Sequence, residues 1–279
     1  MNDLPKTLEK KLKAVISFLE GKKVIVGFSG GVDSSLLAFL SKKHAKKALL
    51  ITEKSILYPD EEIEETCQFA KQYEIRHKII ERDPLKDEAF QCNPSNRCYI
   101  CKTGLYKDII EIKNSENFDV ILDGSNTDDL SDYRPGMQAL KELNIFTPYI
   151  DFDINKNEIR ELSKFFDLEV QSKPSMACFS SRIPYGQIIS EEKLEMIRKA
   201  EKFLRSKFDL KQLRVRLHEN KLARIEFLPK DLNNILTKEN LIIINTKFKE
   251  LGFYFITIDI EGFRSGSMNL PIIKNKEIY

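Results

Sequence analysis

The segment FSGGVDSS, residues 28–35, has the residue types of a loop that holds an anion. Its adjacent glycines, Gly30 and Gly31, allow the backbone to approach a ligand closely, and a helix beginning directly after them adds roughly half a positive charge. Asp33 could bind Mg²⁺ as a hard oxygen ligand or could simply cap that helix. The segment is neither a Walker A loop, because it lacks the lysine, nor a G-x-G-x-x-G dinucleotide motif. We therefore predict a phosphate-binding loop made by Ser29, Gly30, Gly31, Asp33, Ser34 and Ser35.

Cysteines are the second group of reactive side chains. Cys98 and Cys101 make a Cys-x-x-Cys motif at the start of a predicted helix, which places both thiols on one turn. A redox pair, a zinc site and an ordinary surface pair all remain open, because zinc prefers four ligands and the sequence has no second pair. Cys178 lies in a proline-containing loop beside Ser180 and Arg182, without helical or strand periodicity. This setting is typical of a functional thiol, with a core position as the alternative.

The remaining cysteines carry no assigned chemistry. Cys67 follows Ile63 by four residues and precedes Ala70 by three, so we predict that it packs in the core. Cys92 lies in a predicted loop. Because five is an odd number and we expect a reducing, cytoplasmic location, a disulfide framework is not expected.

Two further clusters could bind ligands. Arg214 and Arg216 alternate along a predicted strand and so face one side, and Arg264 lies in a glycine-flanked loop. Guanidinium groups bind phosphate through paired donors, although strand arginines are also typical of a solvated face. The segment 123–136 follows another predicted strand, where open α/β sheets bind ligands, and a solvated turn is the alternative. The candidates for ATP or Mg²⁺ after the strands are Lys54, Ser55, Gly124, Asn126, Asp128, Asp129, Asp132 and Arg134.

The elements that must position these residues alternate along the chain. Apolar, β-branched runs and helical periodicity follow each other from about residue 6 to residue 123, which predicts an α/β domain with a parallel sheet. After a loop at 171–186, short strand-like runs and helices predict a smaller α+β domain. We predict domains at 1–188 and 189–279. The predicted strands are 22–28, 48–52, 76–81, 118–123, 212–218, 222–227 and 253–260.

Composition narrows the class of protein. The 279 residues are 42% hydrophobic and 32% charged, which excludes a disordered or collagen-like chain. The apolar runs are shorter than a membrane span, and the charged start of the chain does not resemble a secretion signal. A net charge of +2 argues against a nucleic-acid partner and favours a small molecule. We expect a cytoplasmic protein that forms a homo-oligomer.

The loop at 28–35 resembles the SGGxDS signature of the PP-loop ATP pyrophosphatase superfamily, whose fold is adenine nucleotide alpha-hydrolase-like. Further segments make the resemblance more specific: NPSNRCYICK, DGSNTDDLSDYRPG, CFSSRIPYG, LRVRLH, ARIE and GFRSG. Together they resemble the LarE family of ATP-dependent sulfur transferases, which make the thiocarboxylates of the nickel-pincer nucleotide. The resemblance covers most of the chain.

The resemblance implies an enzyme that uses ATP and Mg²⁺ to adenylylate a carboxylate of pyridinium-3,5-biscarboxylic acid mononucleotide and then inserts sulfur. It implies catalytic roles for Asp33 and Cys178, ATP binding by the loop with Ser55 and Gly124, and a small second domain for substrate binding or oligomerisation. The substrate-binding candidates are Ser180, Arg182, Arg214, Arg216 and Arg264.

The simplest family members sacrifice the sulfur of the loop cysteine, but this chain adds two more cysteines. Three thiolates at Cys98, Cys101 and Cys178 suit a 4Fe-4S cluster with one iron open to sulfide, as in other three-cysteine PP-loop sulfur transferases. The sulfur donor that reloads the cluster is not indicated by the sequence. A PP-loop tRNA thiolase with such a cluster and a non-enzymatic nucleotide sensor with a structural metal site are the alternatives.

Overall fold

The computed structural model describes residues 4–130, 134–173, 177–264 and 266–270. The strands are β1 (Lys23–Gly27), β2 (Lys47–Lys54), β3 (Arg76–Glu81), β4 (Val120–Leu122), β5 (Leu213–His218), β6 (Leu222–Phe227) and β7 (Phe255–Ile258). The helices are α1 (Lys6–Leu19), α2 (Val32–His44), α3 (Asp60–Gln72), α4 (Glu88–Gln91), α5 (Arg97–Ser115), α6 (Gly136–Glu142), α7 (Pro148–Asp151), α8 (Lys156–Phe165), α9 (Glu191–Phe208), α10 (Pro229–Ile235) and α11 (Lys238–Glu250).

The first sheet is parallel and has the order β3-β2-β1-β4. Because side chains alternate along a strand, Val24 and Val26 pack with Leu36 of α2 on one face. Ile25 packs with Ile109 of α5 on the other face. Both faces of the sheet are therefore covered by helices, which explains why its central strands are continuous apolar runs. The predicted α/β class and parallel sheet are confirmed.

The second sheet has three strands in the order β5-β6-β7, with β5 and β6 antiparallel and β6 and β7 parallel. Helix α9 packs against β5, where Val215 is fully buried. This small sheet confirms the predicted α+β second part. This part also contains the helices α10 and α11.

The chain divides into two compact units, Met1–Asp83 with Asn96–Met176 and Pro84–Ser95 with Ala177–Tyr279. The first sheet lies in the first unit and the second sheet in the second. Asn93 anchors the segment 84–95 within the second unit, because its amide donates to the carbonyl oxygens of Ile183 (3.2 Å) and Pro184 (2.7 Å). The predicted domain boundary at 188–189 stays a prediction, as does the homo-oligomer. Within the described ranges, no helix is both long and apolar enough to span a membrane.

The prediction for Cys67 is wrong, because the side chain is exposed on α3. The buried face of that helix is instead formed by Thr66, Phe69 and Ala70. The spacing to Ile63 and Ala70 does not fix which side chain between them faces the core. In the structure Thr66 faces the core and its neighbour Cys67 is exposed.

Two glycines of the second unit allow a test of local packing. Gly262 and Gly186 both have a left-handed backbone, with φ of +72° and +80°. A Cβ on Gly262 would lie 2.6 Å from the carbonyl oxygen of Phe227, whereas a Cβ on Gly186 meets nothing within 4 Å. We expect Gly186→Ala to cost about 1 kcal/mol of backbone strain and Gly262→Ala about 3 kcal/mol. The urea midpoints of both variants measure this difference, and equal midpoints would contradict it.

Candidate active site

A cavity of about 320 Å³ opens at the carboxyl ends of β1 and β2, within the first unit. This edge is where parallel α/β sheets bind their ligands. The first turn of α2, one side of α3, the cavity-facing side of α5 and the segment after β4 also line it. Five of the predicted nucleotide-binding residues line it: Ser29, Gly31, Asp33, Ser34 and Gly124.

Hydrogen bonds of the Ser34 hydroxyl group stabilise the conformation of the loop. The Ser34 hydroxyl donates to the carbonyl oxygen of Gly31 (3.2 Å) and accepts from the backbone N–H of Ser29 (3.3 Å). Gly30 has φ of +70°, and a Cβ there would lie 2.9 Å from Cγ2 of Thr66. A side chain at position 30 is thus excluded by both conformation and packing.

Three predicted ATP-binding residues are not among those lining the cavity. Gly30 turns the loop, and Ser35 is fully buried on the inner side of α2. Ser55 follows β2, where its hydroxyl accepts the backbone N–H of Leu57 (3.4 Å). Direct contacts of these residues with ATP stay predictions.

Asp33 lies at the start of α2 with an ammonium group beside it. Lys156 of α8 forms an ion pair with its carboxylate, and the side-chain amide of Asn126 donates to the other oxygen (3.3 Å). The buried Tyr149 donates from its hydroxyl to the carbonyl oxygen of Asp33 (3.2 Å). Sequence reasoning had named Asn126 but not Lys156 or Tyr149, which lie more than a hundred residues away along the chain.

Asp123 is the centre of a buried network in the cavity wall. Its carboxylate accepts from Lys102 (2.9 Å), the Tyr106 hydroxyl (2.5 Å) and the backbone N–H of Ser125 (2.8 Å). Burial alone would raise the pKa of Asp123, but the charge of Lys102 and these hydrogen bonds lower it to about 2. Burial raises the pKa of Tyr106 well above its ordinary value, so the phenol remains a donor. The carboxylate therefore stays ionised, and it ties α5 to the end of β4.

Two of the other acidic candidates also lie near the loop. Asp129 lines the cavity and forms an ion pair with Arg134, while Asp128 accepts the backbone N–H of Lys156 (3.2 Å). Asp132 lies outside the described residues. Lys54 is paired with Glu81 on the neighbouring strand.

The cysteines of the motif lie about one turn apart at the start of α5. Cys98 is exposed, and Cys101 is half-buried and lines the cavity. Cys178 belongs to the second unit, where its sulfur lies 2.9 Å from the hydroxyl of the buried Ser180. None of the described cysteines forms a disulfide. No three cysteine, histidine or acidic side chains in the described part of the chain are grouped so that they could hold a metal ion.

Arginines of the second unit cluster around two buried glutamates. Arg182 is 1% exposed and makes a two-pronged pair with Glu201 (2.9 and 3.1 Å). Glu201 also accepts from Arg205 (3.1 Å) and from the backbone N–H of Val215 (3.0 Å). Burial would raise the pKa of Glu201, but Arg182, with Arg214 and Arg205, lowers it to about 2.

Arg214 and Arg216 are buried, at 3% and 5% exposed, so the alternative of a solvated face is wrong. Arg216 donates to Glu226 (2.7 Å) and to the hydroxyl of Ser267 (3.1 Å). Arg214 stacks over the ring of Phe263 at 5.1 Å. Burial, with the charge of Arg182, lowers the pKa of Arg214 to about 9.

Arg264 is linked to this arrangement through Asp259, which also pairs with Arg224, a partner of Glu226. It is partly exposed and pairs with Asp259 (3.4 Å) and with Glu261. The substrate role predicted for it stays a prediction.

Comparison with known proteins identifies the family of this chain. Residues 4–102 match the family model described as NAD synthase. The chain is 35% identical over 269 residues to an uncharacterized protein of Synechocystis sp., covering 96% of this chain and all of the relative. It is also 35% identical over 246 residues to an uncharacterized protein of Methanocaldococcus jannaschii, covering 88% and 92%.

A third relative is named for its reaction product. The pyridinium-3,5-bisthiocarboxylic acid mononucleotide synthase of Lactiplantibacillus plantarum is 30% identical over 267 residues, which is 95% of each chain. The chain belongs to the LarE family. The predicted family and its PP-loop are thereby confirmed, and the loop that lines the cavity in the first unit is the PP-loop of this LarE-family chain.

Several residues of the LarE-family site were missed by sequence reasoning. Lys156, Lys173 and Tyr106 carry no local motif and reach the cavity or its loop only through packing. Glu201 lies between Ile197 and Leu204 on the buried face of α9, where helical spacing calls for an apolar residue, whereas Glu226 lies in an ordinary strand pattern. A charged residue at a position where the period requires an apolar one was the available signal, and Glu226 between Ile225 and Phe227 does not give it.

Glu201 makes the stability of the second unit depend on pH. Its folded pKa of about 2 lies below the ordinary 4.5, so the stabilisation is complete above about pH 5 and is lost as the pH falls toward 2. The difference corresponds to about 3 kcal/mol. We expect Glu201→Gln to lose this amount at pH 7 and to flatten the acid side of the stability profile. Denaturant titrations from pH 2 to pH 7 measure it, with the exposed Glu219→Gln as the charge-matched control, and parallel profiles for wild type and Glu201→Gln would refute it.

Proposed function

We propose that the chain is an ATP-dependent sulfur transferase that adenylylates a carboxylate of pyridinium-3,5-biscarboxylic acid mononucleotide and replaces one carboxylate oxygen by sulfur. The observation that carries this proposal is that Cys101 and the PP-loop line the same cavity. A nucleotide-binding loop and a thiol in one wall suit activation followed by sulfur transfer. The name of the Lactiplantibacillus relative supports the choice of acceptor.

The loop provides what the first step needs. Backbone N–H groups at Gly31 and the N-terminus of α2 favour the phosphates of ATP. Asp33 supplies an oxygen ligand for Mg²⁺, which usually takes only one or two carboxylates and completes its coordination with phosphates and water. Attack of the substrate carboxylate on the α-phosphorus forms an acyl adenylate and releases pyrophosphate. A sulfide equivalent then attacks the carbonyl carbon, and AMP leaves.

The arginine site of the second unit suits the phosphate of the acceptor. Arg182, Arg214 and Arg216 bring three guanidinium groups to a buried region that contains Glu201 and Glu226. Paired donors on a planar group match the oxygens of a phosphate monoester. We propose that these arginines, with Ser180, bind the mononucleotide phosphate.

The sulfide carrier is proposed to be a 4Fe-4S cluster held by Cys98, Cys101 and Cys178. The donor chemistry fits, because thiolates are the usual ligands of such clusters and Cys98 and Cys101 lie on one helical turn. When bound, a cluster with three protein ligands has an iron that is open to sulfide. Cys98 and Cys101 belong to the first unit and Cys178 belongs to the second.

The product distinguishes this function from its alternatives. Anaerobic protein incubated with ATP, Mg²⁺, sulfide and the dicarboxylate mononucleotide should release AMP and pyrophosphate, and mass spectrometry should find oxygen replaced by sulfur in the mononucleotide. Thiolation of tRNA in place of the mononucleotide would contradict the proposed substrate. Binding of ATP without any turnover would contradict the proposal that the protein is an enzyme.

Asp33→Asn tests the first step. The amide keeps the shape of the side chain but removes the charge, so we expect pyrophosphate release to fall by about 100-fold. Asp151→Asn, at an exposed position at the end of α7, is the matched control and should retain the wild-type rate. Wild-type turnover by Asp33→Asn would remove the carboxylate from the mechanism.

Single Cys→Ala changes test the sulfur source. At Cys98, Cys101 or Cys178 each change should abolish both bound iron and thiolation, whereas Cys67→Ala at an exposed site should retain both. Iron and sulfide analysis of anaerobic protein gives the first readout, and intact mass after turnover gives the second. Dehydroalanine at Cys178 after a single turnover would show that Cys178 gives up its own sulfur.

A further inference from the structure

The PP-loop contains no lysine of its own, but a lysine from another segment lies against it. The Lys173 ammonium group donates to the carbonyl oxygen of Gly30 (3.0 Å) and lines the cavity. A Cβ on Gly30 would lie 3.7 Å from its nitrogen. Lys173 is 142 residues from Gly31 along the chain, so only the fold brings it to the loop.

The backbone that carries Lys173 is held in place. The Arg160 guanidinium on α8 donates to the carbonyl oxygens of Gln171 (2.6 Å) and Lys173 (3.4 Å). The backbone N–H of Lys173 donates to the carbonyl oxygen of Val170 (3.0 Å). These hydrogen bonds fix the backbone of Lys173. Its side chain is 18% exposed and reaches the loop. The ammonium group is therefore positioned before any nucleotide binds.

The partner of Lys173 is one that a phosphate can replace. The ammonium pairs with Glu65 on α3, whose side chain is 54% exposed, and exposed ion pairs contribute little. By contrast, Lys102 in the same cavity is paired with the buried Asp123, which stays ionised. Exchange of Glu65 for a phosphate oxygen is therefore much less costly than exchange of Asp123.

We propose that Lys173 binds the phosphates of ATP and the released pyrophosphate, in the role that Walker loops give to a lysine within the loop itself. The proposal rests on the proposed function, because it assumes that this cavity holds ATP. It assigns a phosphate-binding residue to the segment that follows α8, outside the PP-loop sequence.

Calorimetry with Mg²⁺ and three probes tests the proposal: ATP, inorganic pyrophosphate and adenosine. Lys173→Met should weaken ATP and pyrophosphate by about 10- to 100-fold, as expected for one charged hydrogen bond, and leave adenosine unchanged. Lys173→Arg should retain most of the affinity because it keeps the charge. Lys71→Met, at an exposed position at the end of α3, controls for the loss of a positive charge.

Glu65→Gln separates phosphate binding from a merely structural role. If Lys173 acts on phosphate, release from its carboxylate partner should strengthen pyrophosphate binding. If the pair only fastens α3 to the loop, Glu65→Gln should weaken binding as much as Lys173→Met, and that result would overturn the proposal. Full pyrophosphate affinity in Lys173→Met would also overturn it. A wild-type protein that binds neither ATP nor pyrophosphate would instead refute the proposed function on which it rests.

Discussion

The contact between Gly124 and the first turn of α2 sets the geometry of the cavity. A Cβ at position 124 would lie 3.0 Å from the backbone nitrogen of Ser34 and 3.2 Å from the carbonyl carbon of Asp33. The segments that follow β1 and β4 can approach this closely only because position 124 has no side chain. On the other side, Gly27 leaves room for the Tyr106 hydroxyl, which would lie 2.5 Å from a Cβ. Because Gly27 and Gly124 have no side chains, the Tyr106 hydroxyl and the first turn of α2 can pack closely against them in the cavity wall.

That approach also determines where the thiols lie. Asp123, directly before Gly124, is buried and ionised, and it binds Lys102 and Tyr106 of α5. An unpaired buried carboxylate would be strongly destabilising, so α5 is held where it supplies both partners. Cys101, on the same helix as Lys102, lines the same cavity as the PP-loop. The position of the thiol is a consequence of the buried ion pair.

Structural features that depend on residues adjacent along the chain could be predicted from the sequence. Strand β1, the loop after it and the helix that starts at Arg97 each have a local signature, and all were predicted. The roles of Arg214 and Arg216 could not be decided, because a charged residue is buried only when a partner is available. The decisive partner of Arg216, Glu226, comes from the adjacent strand, and periodicity does not reveal it. The prediction that Cys67 is buried was wrong for a related reason. Helical spacing shows which side chains share a face, but it does not show which face packs against the core.

The charges around the PP-loop explain why Mg²⁺ should arrive with the nucleotide. The ion pairs in the described part of the cavity and its loop include Lys102–Asp123, Arg134–Asp129, Lys156–Asp33, Lys173–Glu65 and Arg82–Glu53. Each of these cations is already matched by a carboxylate, so the cavity has little surplus charge for a triphosphate. Under the proposed function, the several negative charges of ATP must be balanced by cations that come with it and by exchange of the weakest of these pairs. A divalent ion held by Asp33 and the phosphates meets the first requirement, and the exposure of Glu65 makes its pair the one most readily exchanged.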